Sequence, residues 1–246
     1  MSDYLNELEV FWDEFAEEYE VIQQESIFPI AEELRDFLLE ENILPCQSFL
    51  DLAGGSGRYL PSLQKYAAHY DLVDLSREML KIAKAKADAN VRLIKQTQEA
   101  FLATNKQRYD VAFSAMNPAL QTKEELLAFC QLSRGWCLLL RVVKDEDLLF
   151  SPYEESNPDL LLNERYKDFL SARNLSYRTK RFSYTSRETV SREFFQDYFA
   201  DDFSTEALAE ITQKTFGDEN ERVNQQFLDF ELIYFQVPKA YNENGF

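Results

Sequence analysis

Apolar side chains in the first forty residues recur at spacings of three and four. Leu5, Leu8, Phe11, Trp12, Phe15 and Tyr19 fall on one stripe of a helix, with carboxylates filling the other positions. Phe28-Pro29 interrupts the stripe, because proline has no amide proton with which to continue a helix. A second helix is expected from about Ile30 to Leu39, burying Leu34, Phe37 and Leu38, and Asn42 to Pro45 reads as a turn. From residue 48 the pattern becomes short apolar runs alternating with helical segments. Strand 48–52 feeds a helix over about 58–67, whose Pro61 falls in the first turn, where amides lack intrahelical partners anyway. Strand 70–74 leads to Ser76, a good N-cap, and a helix to about Ala89. Strand 91–95, a short helix from Gln98 to Ala103, strand 109–113, a helix over 123–132 and strand 136–142 complete the series.

This alternation predicts right-handed β-α-β units, and therefore a doubly wound α/β fold whose parallel sheet is covered on both faces. Beyond residue 150 the rhythm changes. A helix over 159–172, a strand over 176–185, helices over 191–200 and 207–216, and a last strand over 228–237 are expected. Two strands separated by helices, without a β-α repeat, predict an antiparallel pair at the sheet edge. No internal repeat or low-complexity linker divides the chain. One domain over 1–246 is expected: a helical cap (1–45), a core that holds the ligand (46–150) and C-terminal strands with a helical lid insertion (151–246).

Composition narrows the function classes. The net charge is −18, and residues 1–41 hold fourteen Asp or Glu against Arg35 alone. Nucleic-acid binders draw affinity from Lys and Arg, so a nucleic-acid partner is not expected. The modest basic stretch at Arg173, Arg178, Lys180, Arg181 and Arg187 reads as a solvated strand face. Cys46, Cys130 and Cys137 form no C-x-x-C pair and His69 is the single histidine, so no metal site is expected and the thiols suit a reducing cytosol. No apolar run approaches the ~20 residues of a spanning helix, and the acidic start is unlike a secretory signal. A cytoplasmic protein without a membrane partner is the expectation.

The chemistry concentrates where strand 48–52 stops at Ala53-Gly54-Gly55-Ser56-Gly57, while the next strand ends on Asp74. Ligands of open parallel sheets sit beyond the carboxyl ends of the strands, where strand order reverses. Glycines there let backbone approach a ligand and take positive φ. A carboxylate ending the neighbouring strand can accept from both hydroxyls of a ribose. An adenosyl group therefore suits the gap, with Asp51 supporting the turn and any ligand amine. The dinucleotide fingerprint ends poorly, at Leu60, and the P-loop Gly-Lys-Ser/Thr ending is absent.

Asp51-Leu52-Ala53-Gly54-Gly55-Ser56-Gly57 resembles the first motif of the class I S-adenosylmethionine-dependent methyltransferases. Val73-Asp74-Leu75-Ser76-Arg77-Glu78-Met79-Leu80 is similar to their second-strand motif. "YDVAFSAMNPAL" (109–120) looks like their fourth strand and the loop facing the methyl donor, "GWCLLLRV" (135–142) like their fifth strand, and "FWDEFAEEYE" (11–20) like their lid helix. The resemblance covers about 10–145. It implies a Rossmann-like, mostly parallel seven-stranded sheet in the order 3-2-1-4-5-7-6, and methyl transfer from S-adenosylmethionine to a small-molecule acceptor. It also implies cofactor contacts at Tyr19, Asp51, Ala53, Gly54, Gly55, Gly57, Asp74, Leu75, Met79, Ser114 and Ala115.

Two positions depart from the family. Ala53 replaces the first glycine, and Thr97 beside Gln98 stands where the family places an Asp toward the adenine amine; either side chain can accept that hydrogen bond. These departures leave a non-catalytic cofactor-binding regulatory protein open, and a nicotinamide-dependent oxidoreductase would use the same turn. Asn117-Pro118 invites comparison with the N-P-P-aromatic motif of amino methyltransferases, but Ala119 and Leu120 lack its aromatic platform, so a loop turn is expected, with a substrate contact by Asn117 as the alternative. His69 reads as a surface residue and Glu17 and Glu18 as a solvated helix face. The aromatics of 191–203 fit core packing or a lid over the acceptor equally well. No catalytic residue and no oligomeric state follow from the sequence.

Overall fold

The computed structural model describes residues 2–238, with side chains from Leu5 onward. The single domain expected over 1–246 extends to residues 1 and 239–246, which lie outside the described residues. The chain runs α1 (Ser2–Glu25), α2 (Ile30–Glu40), β1 (Cys46–Leu52), α3 (Leu60–Leu63), β2 (Ala67–Asp74), α4 (Arg77–Lys86), β3 (Val91–Lys95), α5 (Gln98–Thr104), β4 (Tyr109–Ala115), α6 (Lys123–Gln131), β5 (Ser133–Asp147), α7 (Leu162–Ala172), β6 (Arg178–Ser191), α8 (Arg192–Tyr198), α9 (Thr205–Phe216) and β7 (Glu221–Gln236).

These strands form one seven-stranded sheet in the order β3-β2-β1-β4-β5-β7-β6, as the family resemblance implies. β1 is parallel to β2 and to β4, β3 to β2, and β5 to β4. Val237 N donates to Gly135 O, and Leu148 N to Gln225 O, so β7 runs antiparallel to β5. The order reverses between β1 and β4, the place where open α/β sheets hold their ligands.

The chain divides into two compact units. Unit 1 comprises Met1–Arg141, Leu161–Phe182 and Glu231–Phe246; unit 2 comprises Val142–Leu160 and Ser183–Phe230. On one face of the unit 1 sheet, Leu50, Leu52, Ala112 and Leu139 pack with Phe129, Tyr166 and Leu170 from the helices. Each fully buried leucine of this kind contributes about 1.5–3 kcal/mol. Phe49 stacks on Tyr70 with ring centroids 4.8 Å apart and meets Phe113 at 5.9 Å. Unit 2 has its own aromatic core of Phe150, Phe195, Phe199 and Phe216 with Leu149 and Val190. The 191–203 aromatics thus place Phe195 and Phe199 in that core, while Phe194 and Tyr198 are exposed.

Several boundaries differ from expectation. The helix expected over 58–67 is one α-turn, α3, followed by a 3-10 turn at Gln64–Tyr66. Ala67 is drawn into the sheet opposite Cys46, so β2 starts three residues early. The Gln64 side chain meanwhile bonds Lys86 O and Asp88 N. β5, β6 and β7 run past their expected bounds, where the added residues are mostly polar and apolar Val190 of β6 is buried in the core of unit 2. α7 begins at Leu162, after a 3-10 turn at Pro158–Leu161. Two cations of the basic stretch serve the surface of unit 1. Arg178 pairs with Glu41 and lies 4.6 Å over the Tyr234 ring, and Lys180 lies over Phe37 and Phe182.

Candidate cofactor site

β1 ends at Leu52, and the backbone then turns sharply through left-handed conformations at Ala53 (φ 59°), Gly55 (φ 54°) and Gly57 (φ 77°). Gly54 N donates to Val73 O at 3.1 Å, which lays the bend along the end of β2. A Cβ at Gly54 would meet Leu72 Cγ at 2.6 Å, and one at Gly57 would meet Leu60 Cδ1 at 2.7 Å. Small residues at these two positions let the turn close on its neighbours. Gly55 is different. A Cβ there would meet nothing nearer than Tyr19 Cε1 at 3.9 Å and Met79 Sδ at 4.0 Å, so its backbone faces open space.

Asp74 is bound directly to this turn. Its Oδ2 accepts from Gly55 N at 2.9 Å and its Oδ1 from Ser76 N at 2.9 Å. Each oxygen keeps a further lone pair for a ligand. Asp74 is only 8% exposed, and burial pushes its pKa above the usual carboxylate range despite the backbone bonds. A carboxylate so poorly solvated gains from hydroxyl donors.

The space beyond is a cavity of about 560 Å³, within the range of small-molecule sites. Tyr19, Ala53, Gly55, Asp74, Leu75, Met79, Thr97, Gln98 and Ala115 line it. Four other residues expected at the cofactor stand behind the wall. Asp51 is buried and accepts from Tyr70 Oη at 2.8 Å, Gly54 and Gly57 close the turn, and Ser114 Oγ donates to Leu52 O at 3.0 Å. Thr97 caps α5, its Oγ1 accepting from Ala100 N, and Gln98 Nε2 donates to Ala119 O. Glu17 and Glu18 are exposed, as expected for a solvated helix face.

Residues 116–119 of the loop after β4, the loop that the resemblance turns toward the methyl donor, line the cavity; Leu5, Leu8 and Trp12 of α1 and Glu125 of α6 line it too and were not among the expected contacts. The α1 residues belong to the apolar stripe, which periodicity alone reads as a core face. Two α1 carboxylates fix the helix along α4. Asp13 Oδ1 accepts from Ser76 Oγ and Glu78 N, and Glu20 pairs with Lys86 at 2.7 Å. Among the described residues, no group of His, Cys, Asp and Glu is arranged to hold a metal ion.

Asp51 carries a testable pH effect. Burial above all, and then the charge of Asp74, raise its pKa to about 7, against the opposing bond from Tyr70. The folded protein then holds this proton more tightly than the unfolded chain. Asp51's contribution to stability is therefore greatest at low pH and is lost as pH rises toward about 7. The melting temperature of the protein is expected to fall more between pH 5 and 8 than that of Asp51→Asn. Parallel profiles for the two proteins would refute this.

Residues 49–135 match the family model of a methyltransferase domain. No curated protein matches the chain significantly. Among solved structures, precorrin 8W decarboxylase of Methanobacterium thermoautotrophicum is 12% identical over 83% of this chain and 90% of its own, with a TM-score of 0.50. The YcgJ protein of Bacillus subtilis is 14% identical over 84% and 100%, with a TM-score of 0.48. Magnesium protoporphyrin IX methyltransferase of Synechocystis PCC 6803, solved with bound S-adenosylmethionine, is 15% identical over 83% and 78%, with a TM-score of 0.42. At such identities the likeness speaks to fold alone. The matched segment spans the glycine turn, the acid ending β2 and the strands on either side of the cavity. With these motifs on this sheet order, residues 49–135 form a methyltransferase domain of the class I S-adenosylmethionine-dependent kind.

Proposed function

We propose that this methyltransferase acts on a small organic molecule in the cytoplasm, by direct displacement within the cavity of unit 1. The observation that carries the reading is the Asp74 carboxylate, bound to Gly55 N and lining a cavity of about 560 Å³. Asp74 would hold the ribose hydroxyls, and Thr97 and Gln98 would border the adenine. Gly55, Ala53 and Ala115 would flank the amino-acid end. Tyr19, Leu75 and Met79 would complete the wall, while Asp51, Gly54, Gly57 and Ser114 hold the turn from behind. The segments 1–45, 46–150 and 151–246 would then serve as cap, cofactor core and C-terminal strands with a helical insertion.

When bound, S-adenosylmethionine supplies a methyl group already activated on a sulfonium. The protein's task is alignment and exclusion of water. Alignment of this kind contributes up to ~7–11 kcal/mol in favourable intramolecular cases. Among the described residues lining the cavity there is no His, Lys, Arg or Cys, in keeping with catalysis by position. The cavity of about 560 Å³ and a net charge of −18 favour a small acceptor over a nucleic acid. The free thiols Cys46, Cys130 and Cys137 suit a reducing compartment. Among the described residues no helix is long and apolar enough to cross a membrane.

Thermal shift with S-adenosylmethionine, S-adenosylhomocysteine and NAD tests the ligand, and transfer of labelled methyl to a pool of small molecules tests the reaction. Stabilisation by the first two but not by NAD, together with labelled small products, is expected. Stabilisation by NAD alone would favour an oxidoreductase. Tight S-adenosylmethionine binding without transfer to any pool would favour a regulatory binder.

A further inference from the structure

Asn117 follows β4 in the loop that walls the cavity, and it is 2% exposed. Every polar group on its side chain is committed. Its Nδ2 donates to Gln98 Oε1 at 2.6 Å and to Ser114 Oγ at 3.0 Å, using both amide hydrogens. Its Oδ1 accepts from Ala119 N at 2.9 Å. The backbone oxygen of Asn117 accepts from Nη1 of the buried Arg141 on β5 at 2.8 Å. Gln98 returns to the same loop through Ala119 O, and Ser114 Oγ continues to Leu52 O beside the glycine turn. One buried residue therefore joins the start of α5 to the loop after β4, with bonds onward to the end of β1 through Ser114 and to the middle of β5 through Arg141.

The residue before it is held in a costly conformation. Met116 has φ 51° and lines the cavity, and its N donates to Leu140 O at 2.9 Å. A left-handed backbone at a non-glycine residue persists only where its surroundings over-determine it. The bonds made by Asn117 on the next residue supply that determination.

We propose that Asn117 is a positioning residue for the cofactor cavity: it contacts neither cofactor nor acceptor through its amide, but sets Met116 in left-handed backbone against the cavity and locks the start of α5 to the loop after β4. Asn117 Oδ1, the atom that would accept from an amine, is already bound by Ala119 N, and both amide hydrogens are spent inside the protein. That separates it from the asparagine of N-P-P-aromatic enzymes, whose motif Asn117-Pro118 superficially resembles. The proposal rests on this cavity being the cofactor site.

Calorimetric titration of the full chain with S-adenosylhomocysteine tests it. Asn117→Asp keeps the shape and the acceptor oxygen but loses both donors, leaving Gln98 Oε1 and Ser114 Oγ facing a carboxylate. We expect affinity to fall about tenfold or more, as for a buried network left unsatisfied. Met116→Gly removes the conformational cost, so the Asn117→Asp defect is expected to be several-fold smaller in that background. Gln98→Ala is expected to add less to Asn117→Asp than it costs alone. A purely structural residue would lower melting temperature in every background without this pattern of rescue. Unchanged affinity in Asn117→Asp, or equal defects with Met116 and with Gly at 116, would overturn the proposal. A second readout stands apart from ligand binding. Hydrogen exchange at the Ala119 amide is expected to be protected in the parent protein and fast in Asn117→Ala, and the Asn117–Gln98 pair is expected to couple in thermal melts. If the parent protein fails to bind S-adenosylhomocysteine, the cofactor assignment falls, while absent protection and absent coupling would sink the hub itself.

Discussion

Replacing Asp74 by alanine is expected to weaken S-adenosylhomocysteine binding at least a hundredfold, measured by calorimetry on the full chain. Hydrogen bonds to charged groups are worth ~1.5–3 kcal/mol each, and a ribose presents two hydroxyls to this carboxylate. Two such bonds exceed the ~2.8 kcal/mol that a hundredfold change requires. The melting temperature of the ligand-free protein should fall as well, because Gly55 N and Ser76 N lose their acceptor. Asp74→Asn separates the two effects: it retains one oxygen for a backbone donor but loses the charge, so binding should suffer more than stability. If Asp74→Ala loses less than a few-fold in affinity, the sugar does not sit at the glycine turn.

The second large effect is expected at Gly57, in stability. Alanine there must occupy left-handed backbone, at a cost of ~1–2 kcal/mol, and its Cβ would meet buried Leu60 at 2.7 Å and Ala83 at 3.3 Å. Overpacking of this kind adds ~1–3 kcal/mol. For a chain of this size the sum, about 2–5 kcal/mol, corresponds to a fall of roughly 4–20 °C in melting temperature. Gly55→Ala provides the contrast. It carries the same conformational cost without the clash, and its methyl group enters the cavity. Its loss should be smaller in stability and larger in ligand affinity. Equal behaviour of the two variants would mean that the turn does not divide into a packed side and a ligand side.

Much of this architecture is legible in the chain before any coordinates. The apolar runs at 48–52, 70–74, 91–95, 109–113 and 136–142 are short and bounded by turn residues, so each reads as a buried strand. The Asp51–Gly57 and Val73–Leu80 motifs mark the bend and the acid that β1 and β2 deliver together, and Asp74 does bond Gly55 N. The far ends of β5, β6 and β7 were not legible, because their residues are mostly polar and the few that are buried, such as Val190 and Asn224, show no strand alternation of their own. Nor was the shortness of α3, where sheet pairing at Ala67 competes with helix propagation.

The candidate site divides the same way. Local chemistry determined what sequence alone could determine. Small residues permit a sharp bend, an acid ends the adjacent strand, and serine and threonine cap helices α4, α5, α6, α8 and α9. Tertiary structure decided which apolar faces become walls and which polar groups are already spent. Leu5, Leu8 and Trp12 share a helical stripe whose period is identical for core and for cavity, so only the docking of α1 distinguishes them. Asp51 and Ser114 have the right chemistry to hold a ligand but stand behind the cavity wall, where they bond Tyr70 and Leu52. Asn117 looks like a substrate contact until its partners, 3, 19 and 24 residues distant, are brought to it by the sheet. A side chain's donors and acceptors are read from its type, but their availability depends on neighbours that only the folded chain supplies.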